Sequence, residues 1–182
     1  MGRMLANTFA AKSFHVTLLE GQGATSVIPL SARVNHKKFF FYNELDLLLK
    51  KELRKPVDVV IHAAAVSDFS LASPYKGKMS SGKGLTLKLT PTKKIINDIR
   101  SIAPNTFLVG FKLETSIAKD HITPKLISLF HQAGCDLVVA NKISGSKYSA
   151  RLVESSGRLY PEVNSKQSLV KALLTRIEKI FL

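Results

Sequence analysis

One cysteine in 182 residues, Cys135, rules out an internal disulfide and points to a reducing compartment, the cytoplasm by default. No stretch approaches the roughly 18 consecutive apolar residues of a membrane-spanning helix, so no membrane association is expected. The opening MGRMLANTFAAKSFH has no apolar core followed by a small-residue cleavage site, so no secretory signal is expected there. The five histidines fall in no H-E-x-x-H or Cys/His pattern, which argues against a protein metal centre. There is no G-x-S-x-G elbow, no Walker A spacing and no G-x-G-x-x-G. Cys135, between Gly134 and an apolar run, reads as inert core.

Acidic residues are also scarce: 13 against 27 Lys plus Arg, for a net charge of +14. A basic surface without function, phosphate neutralisation on nucleic acid, and a site for polyanionic small molecules all fit that count. The cations are spread as pairs and singles, Lys37-Lys38, Lys50-Lys51, Arg54-Lys55 and Lys93-Lys94 among them, with no arginine-rich arm.

What is present is alternation of strand-like and helix-like segments. The spacing of Met1, Met4, Leu5 and Phe9 predicts a helix over 1–12. HVTLL (15–19), KFFFY (38–42), VDVVIH (57–62), LTLKL (85–89), FLVGF (107–111) and DLVVA (136–140) read as strands. Helices are predicted over 43–53, with Asn43 as N-cap, over TPTKKIINDIR, over DHITPKLISLFHQAG ending at Gly134, and from Ser165 to the C-terminus. ARLVE and RLYPE flank Ser155-Ser156-Gly157 as a hairpin. The expectation is one α/β domain, a Rossmann-like three-layer fold with a mostly parallel sheet and a late β-hairpin.

Ligands of such sheets collect at the carboxyl ends of the strands. VDVVIH runs into Ala63, Ala64, Ala65, Val66, Ser67 and Asp68, where small side chains admit a ring or phosphate and Asp68 can accept from a ribose or base. A tight helix–strand contact with Asp68 as a cap explains the same residues, and HAAAVSD also suits NAD-dependent dehydrogenases. The loop Lys76, Gly77, Lys78, Met79, Ser80, Ser81, Gly82, Lys83 can surround a triphosphate, or be a basic surface loop. Phe111 can pack on a base or belong to the core, Lys112 comes directly after it, and Asn141 can bond a ligand or close a turn.

Taken in order, IHAAAVSDF, Lys78-Met79-Ser80-Ser81, GFKLET (110–115) and DLVVAN (136–141) resemble the phosphopantothenate–cysteine ligases, over nearly the whole chain. The ordered combination is far more specific than any one segment. The resemblance implies a homodimer acting in coenzyme A synthesis on 4′-phosphopantothenate and L-cysteine, with CTP or ATP as co-substrate and Mg²⁺. It makes Lys78 the catalytic lysine beside the phosphates. Ala63, Ala64, Asp68, Lys78, Phe111 and Lys112 become nucleotide-binding and Asn141 substrate-binding; nucleic acid becomes an unlikely partner. The chain departs from the bacterial bifunctional members at Leu129 and Ala133, which stand where those have lysines. The family's opening strand, glycine turn and asparagine-containing loop are not matched, and MGRMLA corresponds to the helix directly after that loop. A truncated domain, weak or inactive as a ligase, is therefore expected.

Overall fold

The computed structural model describes residues 1–22, 27–73, 77, 82, 84–117 and 124–181. Helices and strands alternate as α1 (Gly2–Ala10), β1 (Val16–Gly21), β2 (Val34–Phe39), α2 (Tyr42–Leu53), β3 (Val59–His62), β4 (Phe69–Leu71), β5 (Leu89–Pro91), α3 (Ile96–Ile102), β6 (Phe107–Leu113), α4 (Pro124–Ala133), β7 (Leu137–Ser144), β8 (Lys147–Glu154) and α5 (Lys166–Phe181). The main sheet runs β3-β6-β7-β8, with β3, β6 and β7 parallel and β8 antiparallel to β7. A parallel pair β1-β2 and an antiparallel ribbon β4-β5 stand apart from it.

Strand alternation sorts the core into two layers. Val109, Leu137, Val139, Ala150 and Leu152 meet Leu5 and Phe9 of α1 and Leu169, Val170, Leu173 and Ile177 of α5. On the other face Leu108, Val138, Ala140 and Val153 meet Leu53 of α2, Ile96 and Ile99 of α3, and Leu126 and Ala133 of α4. Helices on both faces of a mostly parallel sheet make this the expected three-layer, Rossmann-like arrangement. Val16 of β1 and Val59 and Ile61 of β3 pack against the same α1/α5 cluster. Yet no ladder among the described residues joins β1 to β3.

Arg100 pins the α4–β7 junction. Its guanidinium donates to the carbonyls of Gly134, Pro104 and Thr106 and pairs with Asp136 at 2.6 Å. Asp136 in turn accepts the Leu108 N–H at 2.7 Å, which fixes β6 beside β7. Gly134 ends α4 with φ +65°, the left-handed C′ position at which glycine carries no Cβ penalty.

Several boundaries differ from the sequence expectation. The second strand is Val34–Phe39, because the exposed Phe40 and Phe41 lead into α2 instead. Asn43 is not the N-cap of that helix. Phe41 holds the position, and the Glu44 carboxylate accepts the N–H groups of Phe40 at 2.7 Å and Phe41 at 3.4 Å. LTLKL forms strand only at its end, in β5, and its partner β4 falls where no strand was predicted. The turn at 155–157 exists, with Gly157 at φ +83°, but its second arm makes only the bridges Val153↔Leu159 and Ala150↔Val163. The long hairpin is β7–β8, eight residue pairs around Gly145 and Ser146.

Candidate functional site

The three parallel strands of the main sheet deliver their carboxyl ends in step. His62 is level with Gly110, Lys112 with Ala140, and Leu113 with Asn141. Ala63 and Phe111 both pack against the α1/α5 cluster, so the first residue beyond β3 and the middle of β6 present one face. By alternation Asn141 shares that face with Val139, while Lys112 belongs to the opposite one. The structure thus brings Ala63, Phe111 and Asn141 to one face of the strand ends. Lys112 stands over the other.

Ala64 and Ala65 are exposed, and the chain continues into β4 rather than a helix. Among the described residues a tight helix–strand contact therefore accounts for Ala63 but not for the exposed Ala64 and Ala65. The Asp68 carbonyl accepts the Thr92 N–H at 2.9 Å, and the Thr92 hydroxyl donates to the Ser67 carbonyl. That clamp holds the Ser67-Asp68 turn by its backbone and leaves the exposed Asp68 carboxylate facing outward. The Asn141 carbonyl accepts the Glu114 N–H at 2.8 Å, which ties the ends of β6 and β7 together. Lys78 lies outside the described residues, as do Lys76, Met79, Ser80, Ser81 and Lys83 of the basic loop.

The structure adds His62, which sequence reading passed over. It ends β3 beside Gly110, its Nε2 is buried, and that atom has no hydrogen-bond partner among the described residues. Burial lowers its pKa, so the ring is neutral near pH 7. A histidine closing an apolar run looks like core in sequence; only the missing partner marks it. Leu129 and Ala133, where bifunctional relatives were expected to differ, both belong to the core beneath β6 and β7. Neither position of α4 faces the strand ends as a charge-bearing site. Cys135 is buried and its thiol is pushed up to about 12 by burial, in keeping with an inert core role. Among the described residues no group of three or more His, Cys, Asp or Glu side chains is placed to hold a metal ion. No helix among them is long and apolar enough to cross a membrane.

A mostly parallel sheet covered by helices on both faces places the chain in the Rossmann-like α/β class. Residues 1–181 match the family model described as the DNA/pantothenate metabolism flavoprotein C-terminal domain, and the chain belongs to that family. It is 37% identical over 136 residues to the coenzyme A biosynthesis bifunctional protein CoaBC of Thermococcus kodakarensis, covering 72% of this chain and 34% of that protein. It is 35% identical over 116 residues to phosphopantothenate–cysteine ligase 2 of Oryza sativa subsp. japonica, covering 62% of this chain and 35% of that one. The chain thus spans about a third of the length of these two relatives. Among solved structures, the DNA/pantothenate metabolism flavoprotein from Streptococcus pneumoniae superposes with a TM-score of 0.82 at 24% identity, covering 98% of this chain and 86% of that one. A Cab2 mutant in complex with phosphopantothenate-cysteine gives 0.75 at 18% identity, covering 98% and 77%. These two likenesses bear on the fold.

Proposed function

We propose that this domain joins 4′-phosphopantothenate to L-cysteine through an acyl-nucleotide, in coenzyme A synthesis. The observation that carries the reading is positional. Three of the segments that resemble the ligases, IHAAAVSDF, GFKLET and DLVVAN, lie at the carboxyl ends of neighbouring parallel strands. In the first step a carboxylate oxygen of phosphopantothenate attacks the α-phosphorus of CTP or ATP, and the bond to pyrophosphate breaks. In the second the cysteine amine attacks the acyl carbonyl, loses a proton, and the nucleoside monophosphate leaves. A free carboxylate is a poor acyl donor, and negative charge gathers on phosphate oxygens in the first step, so fixed cations and donors must offset it.

In this reading Ala63 and Ala64 let the nucleotide approach the backbone, Asp68 accepts from its ribose or base, and Phe111 packs on the base. Lys78 and Lys112 supply charge, and Asn141 holds the acyl group. Mg²⁺ is the counter-ion of the triphosphate. The active form is a cytoplasmic homodimer, its dimer detectable by sedimentation.

The test is pyrophosphate release from CTP and from ATP with both substrates present. Release that depends on phosphopantothenate supports the reading; no release with either nucleotide sinks it. Lys78→Gln is expected to lower the rate roughly a hundredfold, about 3 kcal/mol, with little change in Tm. The net charge of +14 favours a second reading, nucleic-acid binding without catalysis. Stabilisation by a short DNA duplex and by no triphosphate would select it, whereas stabilisation by NAD alone would point to an oxidoreductase.

A further inference from the structure

We propose that the cleft between the β7–β8 hairpin and the first turn of α5 is a phosphate-binding site. β7 runs past the end of β6 at Leu113↔Asn141, which carries Lys142, still paired with Ser149 of β8, beyond β6 on the carboxyl side of the sheet. The segment after β8 returns along it through Ala150↔Val163 and starts α5 at the same end. The two elements line an open cleft of about 750 Å³ that begins at Lys142.

The chemistry of its walls selects an anion. Lys142, Lys147 and Lys166 line it, and none of the three is in an ion pair among the described residues. Glu162 is the one carboxylate of the lining, and Arg151 already engages it at 3.4 Å. Lys147 and Lys166 are exposed and Lys142 half-buried, and with no ion pair on any of them among the described residues the cleft carries a positive potential that a dianion offsets. Tyr148 adds a donor: its hydroxyl oxygen is buried with no hydrogen-bond partner among the described residues. A buried hydroxyl without a partner carries a desolvation cost that a bound acceptor removes. Burial pushes that hydroxyl up to about 12, so it stays protonated and can donate.

The first turn of α5 contributes in the same sense. Ser165 Oγ accepts the Ser168 N–H at 3.0 Å, and the Ser165 carbonyl accepts that of Leu169. The amides of Lys166 and Gln167 point outward at the positive end of a sixteen-residue helix. With Leu129 and Ala133 of α4 in the core, the hairpin and α5 add cations to Lys112 at this end of the sheet.

Naming the ligand rests on the ligase reading. The shared chemistry is a phosphate group, either the phosphomonoester of phosphopantothenate or the polyphosphate of the nucleotide. Calorimetric titration of the 182-residue chain separates the sources, with phosphopantothenate set against pantothenate and CTP against cytidine. The Lys147→Ala/Lys166→Ala double variant is expected to bind one phosphate-bearing probe about a hundredfold more weakly, roughly tenfold per lysine. The matching unphosphorylated probe should not change. Tyr148→Phe should weaken the same probe by about fivefold. Lys171→Ala, on an exposed part of α5 outside the cleft, is the control for the general positive field.

Undiminished affinity for both phosphate-bearing probes in the double variant overturns the proposal. So does an equal loss in Lys171→Ala, or an effect of the variants confined to binding of a DNA duplex. Phosphate binding that obeys the pattern without pyrophosphate release leaves the site standing and removes the ligase reading. Turnover with undiminished probe affinity in the double variant does the reverse.

Discussion

The main sheet and the β4–β5 ribbon are built from similar residues and meet opposite fates. Leu108, Val109, Leu137, Val138 and Val139 are wholly buried. In the ribbon, Phe69 and Leu71 pair with Pro91 and Leu89 across an antiparallel ladder, and every one of these residues is exposed. Leu85 and Leu87 continue the exposed apolar series. Ser70 and Pro91 lower the β-propensity of the ribbon, but its apolar alternation resembles that of the sheet. The difference is cover: α1 and α5 close one face of the main sheet, α2, α3 and α4 close the other, and no helix of the described chain lies over the ribbon. A strand pattern states that a face is apolar; which faces are dry is a property of the layers around it.

The sharpest way to break that contrast is to cut into the covered region. Leu108→Ala or Leu173→Ala should each lower unfolding free energy by about 2–5 kcal/mol, measured by urea titration, because each leaves a cavity in a packed layer. A loss below about 1 kcal/mol at both sites would show that the layers are not as closely packed as the burial implies.

Overpacking tests the same region from the other side. A Cβ at Gly110 would lie 2.9 Å from Cys135 Sγ and 3.4 Å from Ile96 Cδ1. Gly110→Ala should therefore cost about 1–3 kcal/mol, with part of it recovered when Cys135→Ala is added. Strict additivity of the two substitutions would mean that the sulfur is not the obstacle.

His62 gives a pH readout at the edge of the covered region. Its folded-state pKa is lowered by burial, so below about pH 6.5 the unfolded chain binds the proton that the native ring refuses. Stability should fall as pH drops from about 6.5 toward the lowered value, with a slope of at most about 1.4 kcal/mol per pH unit from this group. His62→Leu should remove that part of the slope while the carboxylate transitions at lower pH remain. An unchanged pH profile would place the ring in contact with water.

The smallest effect belongs to the ribbon. Leu71→Ser, at 45% exposure, should change the stability of the monomer by no more than about 0.5 kcal/mol. A loss several times larger, or one that depends on protein concentration, would show that the ribbon's apolar face is covered in solution.

Much of the molecule was legible from residue order alone. VDVVIH, FLVGF and DLVVA are β-branched or otherwise apolar runs bounded by turn residues, and all three became parallel core strands. Ser165 and Gly134 announced a helix start and a helix end, because a hydroxyl cap and a left-handed glycine are local chemistry. The family resemblance was equally local, since short motifs keep their order in the chain whatever the fold does with them. Less local features were lost. Glu44 displaced Asn43 from the expected cap role by reaching back to two backbone amides, a choice made by side-chain geometry. β4 was hidden because three residues gain strand character only from their partner across the ribbon.

Sequence by itself determined the composition of the layers, the strand-end motifs and the family, because periodicity, caps and motif order are all written along the chain. Tertiary structure alone decided which faces are covered and where the sheet parts between β1 and β3. It also placed Ala63, Phe111 and Asn141 on one face with Lys112 on the other, left Nε2 of His62 without a partner among the described residues, and gathered Lys142, Lys147 and Lys166 around one cleft. Those outcomes depend on contacts between residues far apart in sequence, and neither burial nor charge proximity has a local signature.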